Sequence, residues 1–257
     1  MGKNLCKIYS IDEIAANITD VVIESEFIAS NAKPGQFLHI DCGDEINNFL
    51  RRPISICDVY DNKVRFIFEV KGNGTNRLAA KKRGDILDVL GPLGNGFTVS
   101  DEYKQPMIVG GGIGIFPLLN LAKQFDKKAE VFLGFRNKDR LVMENEFKAV
   151  SKDVSIVSDD GSCGIKGLVT EPLKNRLENG AGDIIYACGP TPMLRAVKTL
   201  AEKYKVKCQL SLEQRMGCGI GACLVCSCQT VFTGTKKYKK VCADGPVFWS
   251  DEVTLND

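Results

Sequence analysis

Histidine is nearly absent: the chain has one, His39, among 257 residues. Without a second imidazole or an evident pairing of nucleophile and base, the sequence has little with which to activate a substrate carbon by general acid–base chemistry. Long apolar runs are lacking as well. The longest, Met107–Ala122, is broken by Gly110, Gly111, Gly112, Gly114 and Pro117 and is too short to cross a bilayer as a helix, so no membrane span is expected. No charge dominates: 34 Lys and Arg face 32 Asp and Glu, and a net charge of +2 gives no field that would attract nucleic acid. Met1–Lys7 holds no apolar core of the kind a secretory signal needs, and the protein is expected in the cytoplasm. Internal repeats and low-complexity tracts are missing too.

Cysteine, by contrast, is abundant. Eleven thiols, an odd number in a reducing compartment, argue against a disulfide framework. Cys6, Cys42, Cys57, Cys163, Cys188 and Cys208 are scattered singly and read as small core residues. Cys218, Cys223, Cys226, Cys228 and Cys242 fall within 25 residues and call for another explanation.

Three patterns divide the chain. Residues 1–100 carry short strand-like runs with no long helical period: Val21–Glu26, Gln36–Asp41, Pro53–Cys57, Lys63–Val70 and Asp85–Leu90. In the fourth, Val64, Phe66, Phe68 and Val70 share one face, the period of a half-buried strand, and the set predicts a small antiparallel barrel. Residues 101–212, entered through the polar stretch Ser100–Lys104, alternate strand and helix. Strands are expected at Met107–Gly110, Glu130–Phe135, Val154–Ser158, Asp183–Cys188 and Lys207–Leu212. Helices are expected from Gly114 and over Glu144–Val150, Thr170–Glu178 and Thr191–Tyr204. That order predicts βαβ units on a parallel sheet. Residues 213–257 are cysteine-rich and short of regular pattern.

Within this last segment, Cys218, Cys223 and Cys226 have the spacing C-x4-C-x2-C, and Cys242 follows after fifteen intervening residues. Plant-type [2Fe–2S] clusters are gripped by four thiolates at such spacing. Gly217, Gly219 and Gly221 suit a loop that must bend sharply and aim successive N–H groups at sulfur. A structural zinc ion is the alternative, although its usual pattern is two separated C-x2-C knuckles. Cys228 is a fifth candidate ligand, or a buried thiol on the opposite face of a strand.

Two kinds of phosphate signal precede it. Arg51-Arg52-Pro53-Ile54-Ser55 places an arginine where it could pair with a diphosphate while the strand lies along a flavin ring, and the two arginines could equally be solvated. Gly72 and Gly74, ahead of a helix expected at Asn76–Lys82, offer a site for a second phosphate. Gly110-Gly111-Gly112-Ile113-Gly114 follows a strand and opens a helix, the position where a dinucleotide meets a parallel sheet; it departs from G-x-G-x-x-G and could be a simple tight turn. Cys188-Gly189-Pro190 repeats the arrangement, with Cys188 either beside a nicotinamide or in the core.

Taken in order, Arg52-Pro53-Ile54-Ser55, Gly74-Thr75, Gly110–Gly114, Cys188-Gly189-Pro190, Leu212–Gly219 and Val241–Phe248 give a specific likeness. Over its whole length the chain resembles the electron-transfer subunits of the type B dihydroorotate dehydrogenases, a branch of the ferredoxin–NADP reductase superfamily. The resemblance implies FAD on Arg52, Pro53, Ile54, Ser55, Ile67, Phe68, Glu69, Gly74 and Thr75, a [2Fe–2S] cluster on Cys218, Cys223, Cys226 and Cys242, and NAD rather than NADP at the glycine turns. It also implies a partner, an FMN-containing catalytic subunit that oxidises dihydroorotate for pyrimidine biosynthesis, in a heterotetramer with two copies of each chain. Two other readings are a self-sufficient NAD(P)H reductase serving an oxygenase and a zinc-stapled nucleotide-binding regulator. The first usually carries a complete ferredoxin domain, for which the 45 residues from Glu213 are few.

Overall fold

The structure is a computed structural model, and it describes residues 2–43, 49–231 and 238–255. Strands β1 (Gly2–Ala15), β2 (Ile18–Glu24), β3 (Phe37–Ile40), β4 (Arg52–Tyr60), β5 (Lys63–Glu69) and β6 (Ile86–Leu93) close an antiparallel barrel in the order β1-β2-β5-β4-β3-β6. Its interior is filled by residues that alternate along each strand: Cys6 and Ile8, Val21 and Ile23, Leu38 and Ile40, Val64, Phe66 and Phe68, Leu87 and Val89.

The sequence reading missed β1 entirely, because its outward face mixes Lys3, Lys7, Asp12 and Glu13 with exposed Leu5, Tyr9 and Ile14, which blurs the alternation, and its turn into β2 uses Asn17 in the left-handed region (φ 61°) instead of glycine. It also ran β2 into helix α1 (Glu26–Asn31), which Ser25 caps by accepting the Ile28 N–H at 3.3 Å. Helix α2 (Asn73–Ala79) starts three residues before the expected Asn76. The Thr75 hydroxyl accepts the N–H groups of Lys71 (2.9 Å) and Gly72 (3.1 Å) and so closes a turn earlier.

The second part contains β7 (Pro106–Gly111), α3 (Leu118–Lys123), β8 (Glu130–Phe135), α4 (Glu144–Val150), β9 (Asp153–Ser158), β10 (Ile165–Lys166), α5 (Thr170–Glu178), β11 (Ile184–Cys188), α6 (Thr191–Tyr204) and β12 (Lys207–Ser211). A tight 3₁₀ turn over Gly112–Ile115 replaces the start of the helix expected from Gly114. All six residues of β7 are buried, as a central strand covered on both faces requires.

The last strands are β13 (Ser227–Gln229), β14 (Tyr238–Lys240) and β15 (Val247–Trp249). The sheet runs β10-β9-β8-β7-β11-β12-β15 and is parallel except for β15, which pairs antiparallel with β12. Its chain order reverses at β7, which lies between β8 and β11, so the crevice of the doubly wound sheet opens beyond Gly111.

Ion pairs lock barrel to sheet. Arg65 of β5 holds Asp20 of β2 at 2.6 Å and also reaches Glu146 of α4, while Lys123 of α3 pairs with the buried Asp58 of β4. The cysteine-rich segment is tied to the barrel just after β6, where the Asn95 N–H donates to Gly245 O at 2.6 Å and the Asn95 side chain donates to Ala243 O and Asp244 O.

Candidate functional site

The cysteine loop begins at the C-terminal end of β12 and is shaped by Gly219 (φ 71°), Gly221 (φ 83°) and Leu224 (φ 51°), all in the left-handed region. This turns backbone donors inward. Cys218 Sγ accepts the N–H of Ile220 (3.5 Å) and of Ala222 (3.2 Å), and Cys223 Sγ accepts that of Cys218 (3.3 Å). Cys226 Sγ accepts the N–H of Cys242 (3.4 Å), and Cys242 Sγ that of Gly221 (3.1 Å).

The thiols respond in opposite directions. Burial opposes ionisation of Cys218, yet the Ile220 and Ala222 N–H groups and the Cys223 contact bring it down to about 6, whereas burial and then neighbouring Cys226 push Cys242 up to about 12. Four such thiols ionise together only around cations, and iron would displace their protons. A ring of backbone N–H donors aimed at the four sulfurs is the arrangement that a cysteine-ligated cluster uses. Cys228, in β13 opposite Lys239, is a buried thiol whose pKa burial raises.

On the barrel, Arg52 and Gly74 meet. A Cβ on Gly74 would come within 2.6 Å of Arg52 Nε, so the guanidinium lies over the first turn of α2, and together they could hold a diphosphate. Pro53, Ile54 and Ser55 run along β4 beside β3, half-buried. The β5 residues separate by strand alternation: Phe68 points into the barrel core, Ile67 packs toward the sheet domain, and Glu69 faces the crevice. Only the backbone of Phe68 is available to a ligand. Thr75 uses its hydroxyl to cap α2.

A cleft of about 730 Å³ lies between barrel and sheet, a size suited to a nucleotide. Gly111, Gly112, Gly114, Gly189 and Pro190 line it. Gly110 and Cys188 stand behind this wall. Cys188 is 2% exposed, burial pushes its thiol up to about 12, and its carbonyl lies where a Cβ on Gly114 would fall, at 2.5 Å. The two turns thus pack directly on each other, and Cys188 sits in the core at the strand end.

Asp159 and Glu213 also line the cleft and were not marked as site residues, because they come from segments distant in sequence; Lys71 and Met193, beside the glycine motifs, line it too. Arg136 and Arg140 also line it. Arg140 reaches across to Glu69 at 3.1 Å, and Lys71 holds the same carboxylate at 2.8 Å. Both basic groups, against the opposing effect of burial, keep Glu69 below the usual carboxylate range. Burial raises Glu213, with Lys71 opposing.

Comparison with known proteins agrees with this geometry. Residues 213–254 match the model of the iron–sulfur cluster binding domain of dihydroorotate dehydrogenase B, and residues 108–199 match the oxidoreductase NAD-binding domain. The "Dihydroorotate dehydrogenase B (NAD(+)), electron transfer subunit" of Caldanaerobacter subterraneus subsp. tengcongensis is 42% identical over 252 residues, 98% of each chain. A solved structure described as NADH-dependent reduced ferredoxin-NADP oxidoreductase, studied for flavin-based electron bifurcation, is 34% identical with a TM-score of 0.86, covering 99% of this chain and 91% of that one. A ferredoxin NADP+ reductase from Neisseria gonorrhoeae with bound FAD and NADP shares the fold at 18% identity and a TM-score of 0.64, over 79% of this chain and 92% of that one. With near-complete coverage at 42% identity, the chain belongs to the family of the electron transfer subunits of dihydroorotate dehydrogenase B.

Proposed function

We infer that this chain carries electrons from an FMN-containing dihydroorotate dehydrogenase catalytic subunit to NAD⁺, through a [2Fe–2S] cluster on Cys218, Cys223, Cys226 and Cys242 and an FAD on the barrel. The observation that carries the reading is the set of five backbone N–H groups aimed at these four sulfurs, on a segment tied to a barrel beside a nucleotide-sized cleft. Bound FAD exchanges single electrons with an iron–sulfur cluster and a hydride with a nicotinamide.

The residues divide the remaining work. Arg52 over Gly74 holds the flavin diphosphate, and the Arg52–Ser55 strand orients the ring. Gly111, Gly112, Gly114, Gly189 and Pro190 let the nicotinamide nucleotide approach the barrel without side chains in the way. Asp159, at the end of β9 and on the cleft wall, suits a ribose hydroxyl and thus NAD. Cys188 stays protonated behind the wall. Assembly with the catalytic subunit as two copies of each, in the cytoplasm, completes the reading.

The test is to assay the purified chain alone, then with the FMN subunit. NADH-dependent reduction of artificial acceptors by the chain alone, with orotate formed only when the partner is added, is expected; orotate from the chain alone, or none with the partner, refutes the assignment. The 34% identity to the NADH-dependent reduced ferredoxin-NADP oxidoreductase supports a second reading, a subunit serving ferredoxin and NADP, and reduction of NADP⁺ by reduced ferredoxin in place of orotate formation would favour it.

A further inference from the structure

The one histidine of the chain lies at the joint between barrel and cysteine loop. His39 is 1% exposed, and neither ring nitrogen has a hydrogen-bond partner among the described residues. Buried polar atoms left in this way are destabilising and mark places where a function is served. The backbone that carries the ring is fixed in the barrel wall, since β3 pairs His39 with Pro53 of β4 and with Leu90 of β6. From the other side, a Cβ on Gly219 would meet Nδ1 at 2.5 Å and Cε1 and Cγ at 3.0 Å. The imidazole therefore lies directly against the backbone next to Cys218. Peptide groups of Arg51 and Cys218 face the ring, and burial, with the charges of Arg51 and Arg52, disfavours its charged form.

We propose that His39 is a positioning residue for the cluster: its ring seats the Gly217–Cys218–Gly219 segment on the flavin barrel and turns its N–H toward the cluster side of Cys218, thereby setting the reduction potential. With a cluster on Cys218, as inferred above, the orphaned ring gains an acceptor. Hydrogen bonds near ligand sulfurs and exclusion of water are two of the levers that fix such potentials, and outer partners orient first ligands. The residue stands between the two redox parts, because its strand pairs with Arg52–Ser55 and its ring meets the loop.

Because His39 is the chain's one histidine, growth on ¹⁵N-histidine labels a single ring. Pulsed EPR of the dithionite-reduced, FAD-loaded full chain is expected to show a ¹⁵N coupling to the cluster that the unlabelled chain lacks. His39→Leu should keep its iron and its flavin but lower the cluster's midpoint potential by about 59 mV, a tenfold change for a one-electron couple, through loss of a hydrogen-bond donor near a ligand sulfur. His39→Asn should recover most of that shift. A reduced cluster without ¹⁵N coupling, or a wild-type potential in His39→Leu, overturns the proposal. A wild-type chain that assembles no cluster, seen at once from its visible spectrum, overturns the cluster reading and this one with it.

Discussion

The cysteine loop and the nucleotide cleft solve the same problem, holding a cofactor, with opposite kinds of information. In the loop, the ligands and their N–H donors lie within 25 residues, Cys218 to Cys242, and the backbone supplies the polar contacts. The cleft is assembled from β5, from the ends of β7, β8, β9 and β11, and from Glu213, so no short stretch of sequence contains it. A locally encoded site should fail when one residue changes and leave its neighbours intact. A site made by topology should fail by degrees.

The largest effect is expected at the loop. Cys218→Ser, Cys223→Ser or Cys226→Ser should abolish the iron–sulfur spectrum while FAD stays bound, checked by iron and flavin content; Cys228→Ser should retain its iron, and loss there would redraw the ligand set. Next comes Arg52→Ala, which removes a charge-assisted contact worth roughly 1.5–3 kcal/mol and should weaken FAD retention about tenfold or more. Flavin occupancy after dialysis measures it.

A smaller effect is expected from Gly114→Ala, whose Cβ would fall 2.5 Å from the Cys188 carbonyl. Overpacking there should cost about 1–3 kcal/mol and raise the Kd for NADH, with iron and FAD contents unchanged; a variant that also lost iron would break the contrast between the regions. The smallest concerns Glu69, whose folded pKa lies below its usual value. Its bridges to Lys71 and Arg140 then contribute fully above the ordinary carboxylate pKa and fade as pH falls through the depressed one. The stability difference between wild type and Glu69→Gln should therefore be constant near neutrality and shrink once the pH falls below the ordinary carboxylate range, through the depressed pKa, as followed by denaturant unfolding.

The same contrast explains what the sequence discloses. The cysteine-rich segment that matches the iron–sulfur cluster binding domain was legible because ligand spacing is a property of neighbouring residues. The buried run of β7 and the clean alternation of β5 disclosed both fold classes. β1 was hidden by apolar and charged residues mixed on its solvent face, and α1 by its six-residue length. Glu213 and Asp159 enter the cleft only once β9, β8, β7, β11 and β12 stand side by side, an order that strand patterns alone leave undetermined. His39 looked like an isolated residue in a barrel strand, since nothing nearby in sequence announces that Gly219 lies against its ring.

β15 gives the cysteine segment a further property. By pairing Val247–Trp249 with Gln209–Ser211, the chain returns from its excursion to cover the flank of β12 with a strand three residues long. Without that cover, the backbone groups on the outer side of β12 would lack partners and offer a template for another chain. Shortening the protein before Val247 should therefore appear first as self-association of the sheet domain, and light scattering would register it before any loss of secondary structure.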